Sequence, residues 1–354
     1  MGLKTASPEI WRRIVQWSRR ADLPNLCLVC KPLQRAAEAR LYESFAPREV
    51  NNYLLFCGTI ATSNRFGAHV RSFVDNHLFP HAPLTQNQWL TVKAALLKMP
   101  SLERLVIFHP ADCNAWLLDD ALPFQLWEAR LGLEWDPLLV NFLIKQKQLR
   151  VLQLFDGPSA DPGAPGLSPG SLPQLLRLEA PLFVASHVLP FTSSLTHLQI
   201  EVDPQATNGL ESFLSDLGRH APMLRALNVM HIPDTMAARC LKLISYSCPN
   251  LRHLGDISLP CDTRSEVHRH LMSMRHLRVL ELDVSRWFPQ PVGMIQRLII
   301  TELRAYCPTL EIVSIWCGHN QNTWALEGDH WRNRSERAQR PQFVALGGAH
   351  HHHH

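Results

Sequence analysis

The stretch Lys147–Leu154, KQLRVLQL, decides how this chain folds. Its leucines stand at 149, 152 and 154, a gap of three followed by a gap of two. A gap of two fits a β-strand, in which Leu152 and Leu154 share one face while Val151 and Gln153 point the other way. The same L-x-x-L-x-L pattern, often led by proline, returns along the chain. It reads PSLERLVI (100–107), PFQLWEARL (123–131), PQLLRLEA (173–180), SSLTHLQI (193–200), PMLRALNV (222–229), PNLRHLGD (249–256), RHLRVLEL (275–282) and PTLEIVSI (308–315).

The first core positions are Leu102, Leu126, Leu149, Leu175, Leu195, Leu224, Leu251, Leu277 and Leu310, spaced 20 to 33 residues apart. That spread centres on the period of about 20–29 residues that marks leucine-rich repeats. Stretches such as FLSDLGRHAPM (213–223) and CLKLISYSCPN (240–250) have helical spacing and end at a proline, so they cover the strands. One unit cannot bury its own strand and helix, but stacked neighbours make one continuous core. Asp256 breaks the pattern where a third apolar residue belongs, which predicts a shifted repeat or a strand that ends early. Side chains between the core leucines point into the curve of such a solenoid, the surface with which repeat arrays bind. The candidate target-binding residues there are Arg104, Arg130, Gln153, Arg177, Glu179, His197, Gln199, Asn228, His253, Glu281 and Trp316. Both signs of charge are mixed with apolar spots there, which suits a protein or peptide partner better than a polyanion.

Ahead of the repeats, residues 7–45 read SPEIWRRIVQWSRRADLPNLCLVCKPLQRAAEARLYESF. Ser7 is a candidate N-cap with Pro8 set for the first turn. Ile10, Trp11, Ile14 and Trp17 then form one apolar stripe, and two further short helices follow Asp22 and Pro32. Cys27 and Cys30 make a C-x-x-C, but no strand precedes it and no second ligand pair stands nearby. Packing inside a helix is therefore the better reading than redox or zinc chemistry. Three short helices cannot bury all of this apolar surface among themselves.

The segment resembles the F-box in P-E-I-W-x-x-I, D-L-x-N-L-x-L-V-C-K and the closing L-Y, with Ser7 replacing the apolar residue usual before the proline. With the array behind it, the chain resembles the F-box/leucine-rich-repeat proteins, particularly the divergent kind of mushroom-forming fungi; the F-L-x-x-Q-x-x-L-R-x-L run at 142–152 adds to this. The resemblance implies a substrate receptor of an SCF-type ubiquitin ligase. Pro8, Ile10, Ile14, Leu23, Leu26 and Val29 would meet a Skp-family adaptor within a cullin complex. The array would hold a protein target, and the chain itself would do no bond chemistry.

The expected fold class is α/β: a three-helix F-box at 6–45, then a leucine-rich-repeat solenoid whose curved parallel sheet carries outer helices and loops. Linking helices and irregular first repeats occupy 46–99, with a strand in HVRSFVD (69–75) and a helix from Gln88 to Met99. The solenoid spans 100–320 with a Pro/Gly-rich loop at 156–173, and a tryptophan-bearing cap and tail follow at 321–346. Residues 347–354 read as a linker and histidine tag.

Bulk numbers agree with a globular chain: 354 residues, 46% hydrophobic, 19% charged, 35 Lys and Arg against 31 Asp and Glu. No basic run concentrates the small excess, which argues against nucleic acid, and no apolar run approaches the roughly 18–20 residues of a membrane span. Nine scattered cysteines without a secretory leader predict reduced thiols and a cytoplasmic or nuclear location, or both.

Sites of chemistry are weaker. Asp75, His77 and His81 have a spacing a metal can use, but Pro80 and Pro83 break any helix between them, so no metal or cofactor is expected. His109, Asp112 and Cys113 lack an oriented third group, and Arg332, Arg334, Arg337 and Arg340 surround Glu336 as a solvated tail. Two alternatives stay open: a repeat scaffold that never meets an adaptor, and an enzyme using a pocket in the arc.

Overall fold

Each of the nine L-x-x-L-x-L stretches becomes a short strand, and the pairing of those strands organises the molecule. The structure, a computed structural model, describes residues 7–75, 83–108, 113–155 and 166–334. These fall into two units, 7–155 and 166–334.

The first unit begins with α1 (Pro8–Trp17), α2 (Leu23–Leu26) and α3 (Lys31–Glu43). Proline stands in the first turn of all three, where its missing N–H costs nothing. Trp11, Val15, Leu23, Leu33 and Ala37 form the core of this module, with Cys27 and Cys30 packed against it. Neither cysteine lies within a helix as expected. Cys27 caps the end of α2, and Cys30 is extended at the start of α3. Arg40 on α3 donates to the carbonyls of Val15 and Ser18, closing the C-terminal end of α1.

The ladder of the first unit starts earlier than the sequence indicates. β1 (Ser44–Phe45), within the span assigned to the F-box, pairs in parallel with β2 (Ser72–Val74). The strands β3 (Arg104–Ile107), β4 (Glu128–Leu131) and β5 (Val151–Leu154) continue in unbroken register. Between them lie α4 (Val50–Thr62), α5 (Gln86–Leu96) and α6 (Pro137–Lys145). Thr85 and Gln88 form a reciprocal capping box at α5, and Asp136 caps α6 through the Leu139 amide. The glutamine of the 142–152 run has a structural task. Gln146 is buried, accepts from the Leu126 amide at 2.8 Å and donates to the Phe124 carbonyl at 3.3 Å, so it ties one repeat to the backbone of the one before.

The second unit repeats the plan with β6 (Arg177–Pro181), β7 (His197–Glu201), β8 (Ala226–Met230), β9 (His253–Ser258), β10 (Val279–Asp283) and β11 (Ile312–Cys317), neighbours pairing in parallel. The intervening helices are α7 (Leu182–Val188), α8 (Leu210–His220), α9 (Asp234–Ser247), α10 (Arg264–Leu271) and α11 (Gly293–Tyr306). Helices α8 to α11 pack side by side. The first core leucines, Leu175 to Leu310, are nearly all fully buried, as are Leu198 with Ile200, Leu227 with Val229 and Leu280 with Leu282. Each buried leucine contributes about 1.5–3 kcal/mol of transfer free energy. The two units are lengths of leucine-rich-repeat solenoid.

β9 does not end early at Asp256. It carries a bulge: Leu254 pairs with Leu280, but Leu282 pairs with Ile257, so Gly255 and Asp256 together oppose Glu281. Asp256 adopts a left-handed φ of 58°, a region aspartate tolerates better than most residues. The extra residue hands the core position to Ile257.

The last parallel strand is followed by a reversal. β12 (Asn320–Glu327) pairs antiparallel with β11, and β13 (His330–Asn333) with β12. Trp324 and Trp331 are buried there, and the Trp324 indole donates to Gln296 of α11 at 3.0 Å.

Candidate functional site

Two surfaces follow from this architecture. The first is the outer side of the N-terminal module. The apolar stripe of α1 divides rather than facing one way: Trp11 and Val15, four apart, enter the core, whereas Ile10 is 46% and Trp17 86% exposed. In the α2–α3 turn Leu28 is 84% and Val29 56% exposed. Of the six expected adaptor residues, Pro8, Ile10 and Val29 are exposed, and Ile14 and Leu26 are half-buried. Leu23 is a correction. It is completely buried in the module's own core, so it supports the surface without belonging to it. Trp17 and Leu28 were missed as surface residues. Their signal was present as large apolar residues that the Trp11–Val15 spacing leaves over.

The second surface is the strand face opposite the core. In the first unit its charges satisfy one another along the ladder. Arg104 pairs with Glu128, Glu128 also meets Arg130 at 3.4 Å, and Arg130 donates to Gln153 at 2.8 Å.

In the second unit the face forms a cleft of about 740 Å³. It brings together the expected Arg177, Glu179, His197, Gln199, Asn228, His253 and Glu281. Asn228 donates to Gln199 at 3.1 Å, and His253 Nε2 lies 3.6 Å from a Glu281 oxygen. Gly255 makes room on the floor, because a Cβ there would stand 2.9 Å from Glu281 and 3.2 Å from Asn228. Trp316 is a correction. It contributes to the cleft wall but is only 3% exposed, since β12 pairs along β11 and sets Gln321 against it. Arg225, Arg252 and Asp256 also line the cleft and were missed. Two of them were legible as a recurring letter: arginine directly follows the first core leucine at 150, 225, 252 and 278. The pKa of His197 is lowered, first by burial and then by the positive charges of Arg177, His253 and Arg225.

Among the described residues no group of three or more His, Cys, Asp or Glu side chains converges as a metal site would require. His77, His81, His109, Asp112, Arg337 and Arg340 lie outside the described residues, while Arg332 and Arg334 pair with Glu327 on the terminal hairpin. No described helix is long and apolar enough to cross a membrane.

No family model and no curated protein matches the chain. Among solved structures it is similar to the leucine-rich repeat-containing protein LegL7 from Legionella pneumophila, with a TM-score of 0.40 and 14% identity over 78% of this chain and 86% of that one.

Proposed function

We propose that this chain is the non-catalytic substrate-recognition subunit of an SCF-type ubiquitin ligase, in the cytoplasm, the nucleus or both. Its N-terminal module docks a Skp-family adaptor of the cullin complex, and its repeat array holds a protein target. The observation that carries this reading is the apolar surface left open on the module, with Ile10, Trp17, Leu28 and Val29 all exposed although the module already has a core. Exposed apolar side chains beyond those its core uses give so small a unit surface for a partner to cover. The resemblance of this segment to the F-box names the partner. The chain's contribution to ubiquitin transfer is proximity, which raises the effective concentration of the target beside the ligase.

The test is co-purification with the adaptor. The double variant Ile10→Asp/Ile14→Asp is expected to abolish it, and Trp17→Asp, at a strongly exposed position, to weaken it by about tenfold or more. Circular dichroism separates lost docking from lost folding, and undiminished capture by both folded variants removes the assignment. A second reading has its own support. The Tyr42 ring of α3 stacks on Phe66 at 4.5 Å, and Glu38 pairs with Arg65 at 2.6 Å, so the module is already tied to its own first repeats. A chain that is monodisperse alone and refuses the adaptor is a repeat scaffold of this second kind.

A further inference from the structure

We propose that the cleft of the second unit binds an extended acidic peptide segment, its carboxylates held by Arg177, Arg225 and Arg252. The proposal rests on the reading of the strand face as a target-binding surface and specifies the chemistry of the target.

Strand register places the three arginines on one side of the cleft. Arg177 opens β6, while Arg225 and Arg252 directly precede β8 and β9, so all three lie at the strand-entry side of the ladder. His197 and His253 occupy the same side on β7 and β9. The carboxylates Glu179 and Glu281 come two residues further along their strands. The cleft is therefore divided, basic at one edge and acidic towards the middle, rather than evenly mixed.

The two signs also differ in how they are satisfied. Glu281 is met by His253, and Glu179 and Asp256 are engaged within the protein. Most exposed arginines elsewhere in this unit have a carboxylate: Arg278 with Glu311, Arg239 with Glu211, Arg264 with Glu302. Among the described residues Arg177, Arg225 and Arg252 have none, although they share one cleft. Guanidinium groups brought together without counter-charges are suited to carboxylates, which they bind through paired N–H donors.

Spacing sets the form of the ligand. Neighbouring strands stand about 4.8 Å apart, so Arg177 and Arg252, three strands apart, are separated by roughly 14 Å. An extended chain advances about 3.4 Å per residue, so about four residues cross that distance.

The experiment measures binding of fluorescein-labelled peptides to the full chain by anisotropy. One peptide carries four consecutive Asp and Glu residues between Gly-Ser flanks, a second replaces them with Asn and Gln, and a third with Lys. The acidic peptide is expected to bind about tenfold or more tightly than the neutral one and to weaken steeply between about 0.05 and 0.3 M salt. Arg225→Glu/Arg252→Glu is expected to remove that preference, whereas Arg219→Glu on the outer side of α8 leaves it intact. Equal binding of all three peptides, or acidic binding that survives the double reversal, overturns the proposal. Preference for the neutral or lysine peptide at the same cleft overturns the acidic specificity while leaving the strand face as a target surface. Adaptor capture does not involve this cleft, so failure of the ligase reading is scored separately, with the Ile10→Asp/Ile14→Asp variant.

Discussion

At the scale of single residues the nine cysteines show how environment decides chemistry. Cys113 and Cys261 are exposed. Burial pushes the thiol of Cys240 up to about 12 and that of Cys248 up to about 11, and raises Cys57 as well. Cys27, half of the C-x-x-C, is raised by burial and next by the charge of Glu38. A raised pKa leaves little thiolate, and thiolate is the reacting species. Alkylation of the folded chain with iodoacetamide at about pH 8 is therefore expected to modify Cys113 and Cys261 first, as read by peptide mass spectrometry. Earlier modification of Cys27 or Cys30 would contradict the packing role assigned to that pair. Gln146 makes the converse point: a polar residue in an apolar run marks backbone that it serves.

At the scale of elements, helices meet where the sequence permits close approach. A Cβ on Gly218 of α8 would stand 1.8 Å from the Ser247 carbonyl oxygen of α9, and the Gly218 amide donates to the Ser247 hydroxyl at 2.7 Å. Gly218→Ala must push α8 and α9 apart, because the obstacle is backbone. It is expected to cost about 1–3 kcal/mol, measurable as a lower urea midpoint with an unchanged slope. Most strands were legible in the sequence because their period of two is written in leucines, and α8 and α9 because their apolar spacing ends at a proline. β1 was not legible. Two residues cannot display a period, and Ser44–Phe45 becomes a strand because Ser72–Phe73 lies alongside to pair with it. The cleft was half legible. Alternation names its floor, but Arg225 and Arg252 precede the strands, where alternation fixes no face, and Trp316 is covered by a hairpin that alternation alone does not foresee.

At the scale of the whole molecule, repeats gain stability from neighbours, so a ladder is weakest where the neighbours stop. The reversal into β12 covers the last parallel strand with backbone partners and two buried tryptophans. Ending the chain after Cys317 leaves β11 with an unpaired edge, and an uncovered edge is a template for association. The shortened chain is expected to elute as oligomers or aggregates in size-exclusion chromatography where the full chain does not; an unaltered elution profile would show that the edge needs no cover. The bulge in β9 carries a different consequence, for how this chain tolerates change in length. Elsewhere in the ladder, losing one residue swaps inside for outside along the remainder of a strand. In β9 the segment HLGDIS without Gly255 reads His-Leu-Asp-Ile-Ser, the same in-and-out order as its neighbours ALNVM and VLELD. Here the strand carries a spare letter, and a one-codon deletion would straighten it instead of scrambling it.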